Sequence, residues 1–541
     1  MAMAFSILSF AFAPALLVVA FLLVNIVRGI LSRLSRNAVL RQIDGPRNAS
    51  FLAGNLQDLY GLQGLSYLNA LSTYGRIVKL HGLFGDTLLA VSDPHVLSQI
   101  LINQVQDFPA IDISGSLDAH TYFTGLGLLS TNGPEHRRQR KLLNPVFSHA
   151  HMRNIAPLMR NIASQLKSLI ARRIDDVAKN GKEHIRELDC ADILGRAALE
   201  FVAQCGFGHT FHAMEGDANK YVSAIKDLVP TLAALGALPQ VFVLSGAARL
   251  PPRLLRLLGN MASFVSPTIR RMMQLRDIMH DEMHDAWKAR KLVQGGEQNE
   301  VLGILLEANE NGQVSDEDMS AQALTLLSAG AETTSTTLCR ILHLLALHPT
   351  MQDNLCREVL QALSVSDGDG TLDYDTLMAL PLLDAVCKET LRVFAPTAVR
   401  HRRCIKESVL STSDGSSLHI PAGTEILVNV HAMNIDAGIW GPDASVWRPE
   451  RWLEQHACSD VNTPGVYANM LSFMAGPKSC VGMNFAILEM KITLATLLPS
   501  FRFKLPAPDV EIEWRLGVTV TPSVKGYKGL DPRMPLLVGI I

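Results

Sequence analysis

One short loop carries the residue types best suited to chemistry. Phe473-Met474-Ala475-Gly476-Pro477-Lys478-Ser479-Cys480-Val481-Gly482 presents a single cysteine just before an apolar run, Met483 to Leu498, expected to be helical. A thiolate at a helix N-terminus is favoured by the dipole and by unpaired backbone N–H groups. Gly476 and Gly482 allow the close approach that a flat cofactor lying against backbone requires. Set against this, the commoner fate of any one cysteine is a buried, inert thiol. The other seven, Cys190, Cys205, Cys339, Cys356, Cys387, Cys404 and Cys458, form no CxxC pair and no zinc spacing. Free thiols in a reduced compartment fit that usage, with one special cysteine among inert ones.

Four other segments hold candidate site residues. Ala329-Gly330-Ala331-Glu332-Thr333-Thr334 sets an acid and hydroxyls beside small residues inside a long helix expected over Glu317–Leu347. That composition is locally unfavourable for a helix, so alone it reads as a site or as a polar kink. Glu389 and Arg392 stand three apart on one helix face, and Pro449-Glu450-Arg451-Trp452 follows downstream. Isolated, an ExxR says little, since most such pairs are solvated. Gly133–Lys141 places His136 and Arg140 four apart at a basic helix start. Arg402 lies in Arg400-His401-Arg402-Arg403, where its neighbours leave the register open.

Taken together, these segments resemble the cytochrome P-450 superfamily of haem-thiolate monooxygenases. The cysteine loop is similar to the signature FxxGxRxCxG, with Lys478 where arginine is usual. Four fixed positions and one basic one would meet by chance in about 1 chain in 3,000 of this length. The resemblance implies haem b bound through Phe473, Gly476, Lys478 and Gly482, with Cys480 as axial ligand to the iron. Such a thiolate donates electron density that favours O–O cleavage. Lys478 keeps a cation but lacks the arginine fork.

The same resemblance makes Ala329-Gly330 the room for dioxygen, Thr333 its hydrogen-bond donor and Glu332 a proton relay. Reductive oxygen activation consumes two protons, which suits a hydroxyl and a carboxylate. His136, where the family's WxxxR helix has tryptophan, would meet haem propionates with Arg140 and Arg402. Glu389, Arg392 and Arg451 become a buried structural triad behind the loop. The motifs keep the family's order from about Arg137 to Gly482, and the phrasing from Trp440 to Trp452 is most like fungal microsomal members.

The elements that must position these residues are mainly α with small β-sheets. Met152–Ile174 and Ser266–Lys291 have helical periodicity, while Ile77–Leu80 and Thr87–Val91 suggest a hairpin. Glu425–Val430 and parts of Phe501–Leu537 read as strands. The resemblance implies one large catalytic domain, a helical prism with a β-rich lobe, over residues 67–541, behind a membrane anchor at 1–27 and a basic, Gly/Pro-containing link at 28–66.

No charge occurs from Met1 to Val27, and Phe5–Val24 is nearly all apolar. About 20 helical residues cross a hydrocarbon core of ~30 Å. A signal peptide fits less well, because no basic n-region precedes the run. Arg28, Arg33, Arg36 and Arg41 follow it, which places that side in the cytosol. The expectation is a single-pass protein of the endoplasmic reticulum membrane.

A net charge of -2 gives no basic stripe for nucleic acid. Without a GxGxxG motif, NADPH electrons are expected through a separate membrane flavoprotein reductase. Pocket walls are expected at Phe108–Leu128, Thr210–Pro252, Pro396–Val399 and Gly517–Thr521. Phe123, Leu126, Leu128, Val399 and Val518 make them apolar, which suits a lipophilic small molecule. Two other functions fit the cysteine loop. One is a haem-thiolate isomerase or dehydratase needing no reductase, disfavoured by the Glu332-Thr333 pair; the other is a non-enzymatic haem-binding membrane protein, disfavoured because no signalling domain is visible.

Overall fold

The computed structural model describes residue 24 and residues 27–541, except 30, 112–124, 179–184, most of 216–251, 293–300, 366–370, 455–461 and 507–509. The described chain is mainly helical with small sheets. Strands β1 (Ile77–His81), β2 (Thr87–Val91) and β3 (Ala110–Ile111) precede helices α1 (Gly133–Leu143) and α2 (His149–Ala178). Next come β4 (Ile185–Asp189), α3 (Cys190–Phe207), α4 (Pro252–Val265), α5 (Pro267–Leu292) and α6 (Asp316–Leu347). Helix α7 (Pro381–Val393) leads to β5 (Val399–Arg403), β6 (Ser408–Ser411), β7 (Ser417–Ile420) and β8 (Glu425–Asn429). The chain closes with α8 (Met483–Leu497), β9 (Phe501–Lys504), β10 (Ile512–Leu516), β11 (Val520–Val524) and β12 (Pro535–Ile540).

Helix α6 runs through the core, and its start is written locally. The Ser315 hydroxyl accepts the Asp318 N–H while the Asp318 carboxylate reaches back to Ser315, and Asp316, Glu317 and Asp318 fill the first turn. Both arrangements satisfy unpaired N–H groups at the positive end of the helix dipole. Helices α2, α3, α6 and α8 share one apolar core that includes Met159, Leu199, Leu327 and Leu488.

The largest sheet has the order β1-β2-β8-β5-β3. Strands β1 and β2 form the expected antiparallel hairpin, and β2 lies parallel to β8. A three-stranded sheet, β4-β12-β9, and the hairpins β6-β7 and β10-β11 account for the other labelled strands.

The expected link over 28–66 includes more order than its glycines suggest. Leu56–Leu59 is helical and a second helix starts at Gly64. Leu59, Leu68 and Leu71 pack into a small core with Val78, Leu80 and Leu88, so burial against the sheet outweighs local sequence. Among the described residues no helix is long and apolar enough to cross a membrane. The anchor expected over 1–27 lies almost wholly outside them, as do Phe123 and most of Thr210–Pro252.

Candidate active site

The cysteine loop is held by its own backbone. The Cys480 N–H donates to Phe473 O at 2.9 Å and the Met474 N–H to Leu471 O at 2.7 Å. Gly476 has φ +64, and a Cβ there would lie 2.1 Å from Leu101 O. Only glycine fits both the left-handed backbone and that contact. Phe473 is buried edge-on to Tyr467, with ring centres 5.4 Å apart. Gly482 caps α8, and its N–H reaches the Cys480 sulfur.

Cys480 is the one exposed thiol of the seven described cysteines, all free. Even so, burial pushes its pKa up, against the opposing pull of the Gly482 N–H, Arg140 and Arg400. A side chain both open and deeply surrounded faces an internal concavity. Helix α6 has the matching pattern: residues 321–327 and 334–342 are buried, whereas Ser328, Ala329, Gly330, Glu332 and Thr333 are half-buried. Gly330 also serves packing. A Cβ there would meet Val202 Cγ2 at 2.6 Å, so the missing side chain lets α3 close on α6.

Cations gather beside the cysteine. Lys478 donates to Leu128 O at 3.2 Å and Thr131 O at 2.7 Å, while burial, then Arg402 and Arg140, bring its pKa down to about 7. Arg402 donates to His401 O at 2.9 Å; burial, then Arg400, lower it to about 10, and its Nε has no partner among the described residues. Arg140 hydrogen-bonds Asn144 Oδ1 at 2.8 Å and also Ser479 O. His136 is buried, and burial, Lys478 and Arg140 hold it neutral with a pKa of about 4.

No carboxylate among the described residues ion-pairs with Lys478, Arg140, Arg400 or Arg402; their hydrogen bonds end on carbonyls, an amide oxygen and a hydroxyl. Buried charge of one sign is costly unless compensated. This cluster therefore calls for an anionic ligand.

Strand β5 narrows the register that its arginines leave open, turning Arg403 away from the site. Arg400 and Arg402 share one face, with Arg400 near Cys480 and Glu332 and Arg402 near Arg400 and Lys478. His401 and Arg403 turn the other way, to Glu425 at 2.8 and 4.0 Å.

Glu332 and Thr333 follow one another on α6 but point apart, since successive helical residues diverge by about 100°. The Thr333 hydroxyl donates to Ala329 O at 2.7 Å. Glu332 instead accepts from the Thr519 hydroxyl at 2.5 Å. Burial pushes the Glu332 carboxyl up, partly offset by Thr519 and Arg400.

Behind the loop, Glu389 is fully buried and receives Arg392 through two bonds, 2.9 and 2.8 Å. The Trp452 Nε1–H at 2.9 Å, the Arg448 N–H at 3.0 Å and Arg451 at 3.3 Å complete its shell. Arg392 and Arg451 spend their remaining donors on Asn434 O, Ala444 O, Trp440 O and Asp443. The three expected triad members thus lie together.

The cytochrome P450 family model matches residues 45–527 of this chain. The chain belongs to the cytochrome P450 family. This P450 is 35% identical to cytochrome P450 monooxygenase 91 of Postia placenta, covering 95% of this chain and 96% of that one. It is 33% identical to a ganoderic acid synthetase of Ganoderma lucidum, covering 90% and 91%. A cytochrome P450 monooxygenase of Hericium erinaceus is 30% identical, covering 93% and 94%.

Family membership implies haem, and the donor set of this P450 fits it. A haem carries two carboxylates, the charge that the uncompensated cations and the unpaired Arg402 Nε lack. Sequence reasoning assigned no role to two residues of the site. Arg400 carried a signal, its alternation with Arg402 along a strand. Thr519 lies in the expected pocket wall Gly517–Thr521, but its link to Glu332 carried no signal, because it spans 187 residues.

Proposed function

We propose that this P450 inserts one oxygen atom of O2 into a lipophilic small molecule in secondary metabolism, releasing the other as water. Two electrons and two protons are consumed in each turnover. The observation that carries the reading is Cys480, exposed yet deeply surrounded, with Arg140 and Arg400 acting on its sulfur and Arg400 shared with Glu332. When bound, a thiolate-ligated haem supplies the iron that activates dioxygen.

The chain's own residues do the rest. Cys480 would ligate the iron, and Arg140, Arg402, Lys478 and the neutral His136 would hold the acid groups of the cofactor. Phe473, Gly476 and Gly482 keep the loop close to it. Thr333 would turn its hydroxyl from Ala329 O toward the reacting oxygen, and Glu332 would hold and release the protons that the reaction draws in.

Electrons would come from NADPH through a separate flavoprotein reductase. A single-pass anchor at residues 1–27, in the endoplasmic reticulum membrane with the domain facing the cytosol, rests on a stretch without charge that is nearly all apolar from Phe5 to Val24. Helix α4 adds support for membrane contact. Leu257, Met261, Phe264 and Val265 are all exposed on it, with Val265 at 87%, and apolar surface of that kind suits a lipid boundary. The relative named ganoderic acid synthetase supports the secondary-metabolite reading.

The deciding experiment is the carbon-monoxide difference spectrum of the reduced protein. A strongly red-shifted Soret band, lost in Cys480→Ser, is expected. A haem-loaded, folded sample without that band would remove the thiolate ligand and the oxygenase reading with it.

A further inference from the structure

Helix α6 and the β10-β11 hairpin are fastened to each other at two points. Toward the C-terminal end of α6, the Arg340 guanidinium lies 3.3 Å from the centre of the Trp514 ring, and the Trp514 Nε1–H donates to His343 Nδ1 at 3.2 Å. Two turns earlier, the Thr519 hydroxyl beside β11 donates to Glu332 at 2.5 Å. The turn between the strands is pinned as well, since the Gly517 N–H donates to Thr519 O and the Val520 N–H to Pro396 O at 2.8 Å. Thr519 is nearly buried, so its hydroxyl has little water to turn to.

We propose that Thr519 is a positioning residue for Glu332, its hydroxyl fixing the direction of the carboxyl. The proposal rests on the reading of Glu332 as the proton-handling acid.

Two opposing effects make the hold consequential. Burial alone drives the carboxyl toward its neutral form, and Thr519 and Arg400 are the two groups that work against it. A hydrogen bond to the charged form favours that form. Arg400, from β5, is the other charged group facing Glu332, and it is shared with Cys480. Thr519 is therefore the contact that serves Glu332 alone. The hairpin carrying it is set by Trp514 on Arg340, so the acid's orientation is decided by a strand pair far away in sequence.

The test is the infrared carbonyl band of protonated Glu332 in the haem-loaded ferric protein, identified by its loss in Glu332→Gln and followed against pH. Thr519→Val keeps the shape and removes the donor; Thr519→Ser restores it. The midpoint of the band should move to higher pH in Thr519→Val and return in Thr519→Ser, and the pH profile of peroxide leakage should move with it. Thr519→Ala serves the same purpose if the valine variant fails to show the red-shifted carbon-monoxide band of the folded protein. An unchanged midpoint in the donor-less variant would overturn the proposal. A moved midpoint with an unmoved leakage profile would uphold Thr519's hold on the acid and overturn Glu332's part in proton delivery.

Discussion

Replacing Glu389 by alanine should remove a large share of the protein's stability without touching the reacting atoms. Its carboxylate accepts two bonds from Arg392, one from Arg451, one from Trp452 and one from the Arg448 N–H. Arg392 and Glu389 have no exposed side-chain surface, and Arg451 only 4%. In Glu389→Ala the Arg392 guanidinium keeps its charge with no carboxylate partner and no water to screen it, while Arg451 retains Asp443. Breaking a buried pair in this way costs about 3–5 kcal/mol, whereas an exposed pair contributes about 0–1 kcal/mol. Against a typical folding stability of about 5–15 kcal/mol, the loss is decisive.

The assay is urea titration of the red-shifted carbon-monoxide band, comparing variant and parent at one protein concentration. A difference of less than about 1 kcal/mol would refute the reasoning, because it would place the triad in the class of solvated pairs. The pH dependence gives a second check. Burial raises the Glu389 carboxyl, but Arg392, the Arg448 N–H and Arg451 outweigh it, leaving the folded pKa below the usual carboxylate value. The stability it contributes is complete above the unfolded pKa and is lost as pH falls through the folded one. The gap between parent and variant should therefore be widest near neutral pH and shrink in acid.

Three further outcomes are expected. Gly476→Ala places a Cβ 2.1 Å from Leu101 O at φ +64, so the loop must shift; haem loading, read as the ratio of Soret to protein absorbance, should fall severalfold. Thr333→Ala should still bind haem but divert more NADPH-derived reductant into hydrogen peroxide, and unchanged coupling would remove Thr333 from proton delivery. Lys478→Gln removes a buried cation that also ties Leu128 O and Thr131 O to the cysteine loop. Haem transfer to a competing acceptor protein should be severalfold faster; an unchanged rate would take Lys478 out of cofactor retention.

What the sequence determined was what is written locally. The cysteine loop, the long helix at Glu317–Leu347 and the β1-β2 hairpin all reappear, because capping residues, glycines and periodicity act within a few positions. The Glu389–Arg392 pair sits one helical turn apart, so its geometry too was legible in advance. Arg451, 62 residues on, was found only through the resemblance of its segment to a known motif.

Tertiary structure alone decided what the site residues face. Glu332 and Thr333 read as a pair because they are adjacent, yet helical geometry points them apart and the β10-β11 hairpin captures the acid. Gly330 read as open space above a cofactor, and its packing against Val202 of α3 was not legible in advance. Arg400 looked interchangeable with its neighbours until the alternation of β5 set it beside Cys480 and Glu332. A side chain's partner is fixed by which elements pack across hundreds of residues, and the burial that makes such a contact matter does not exist until they do.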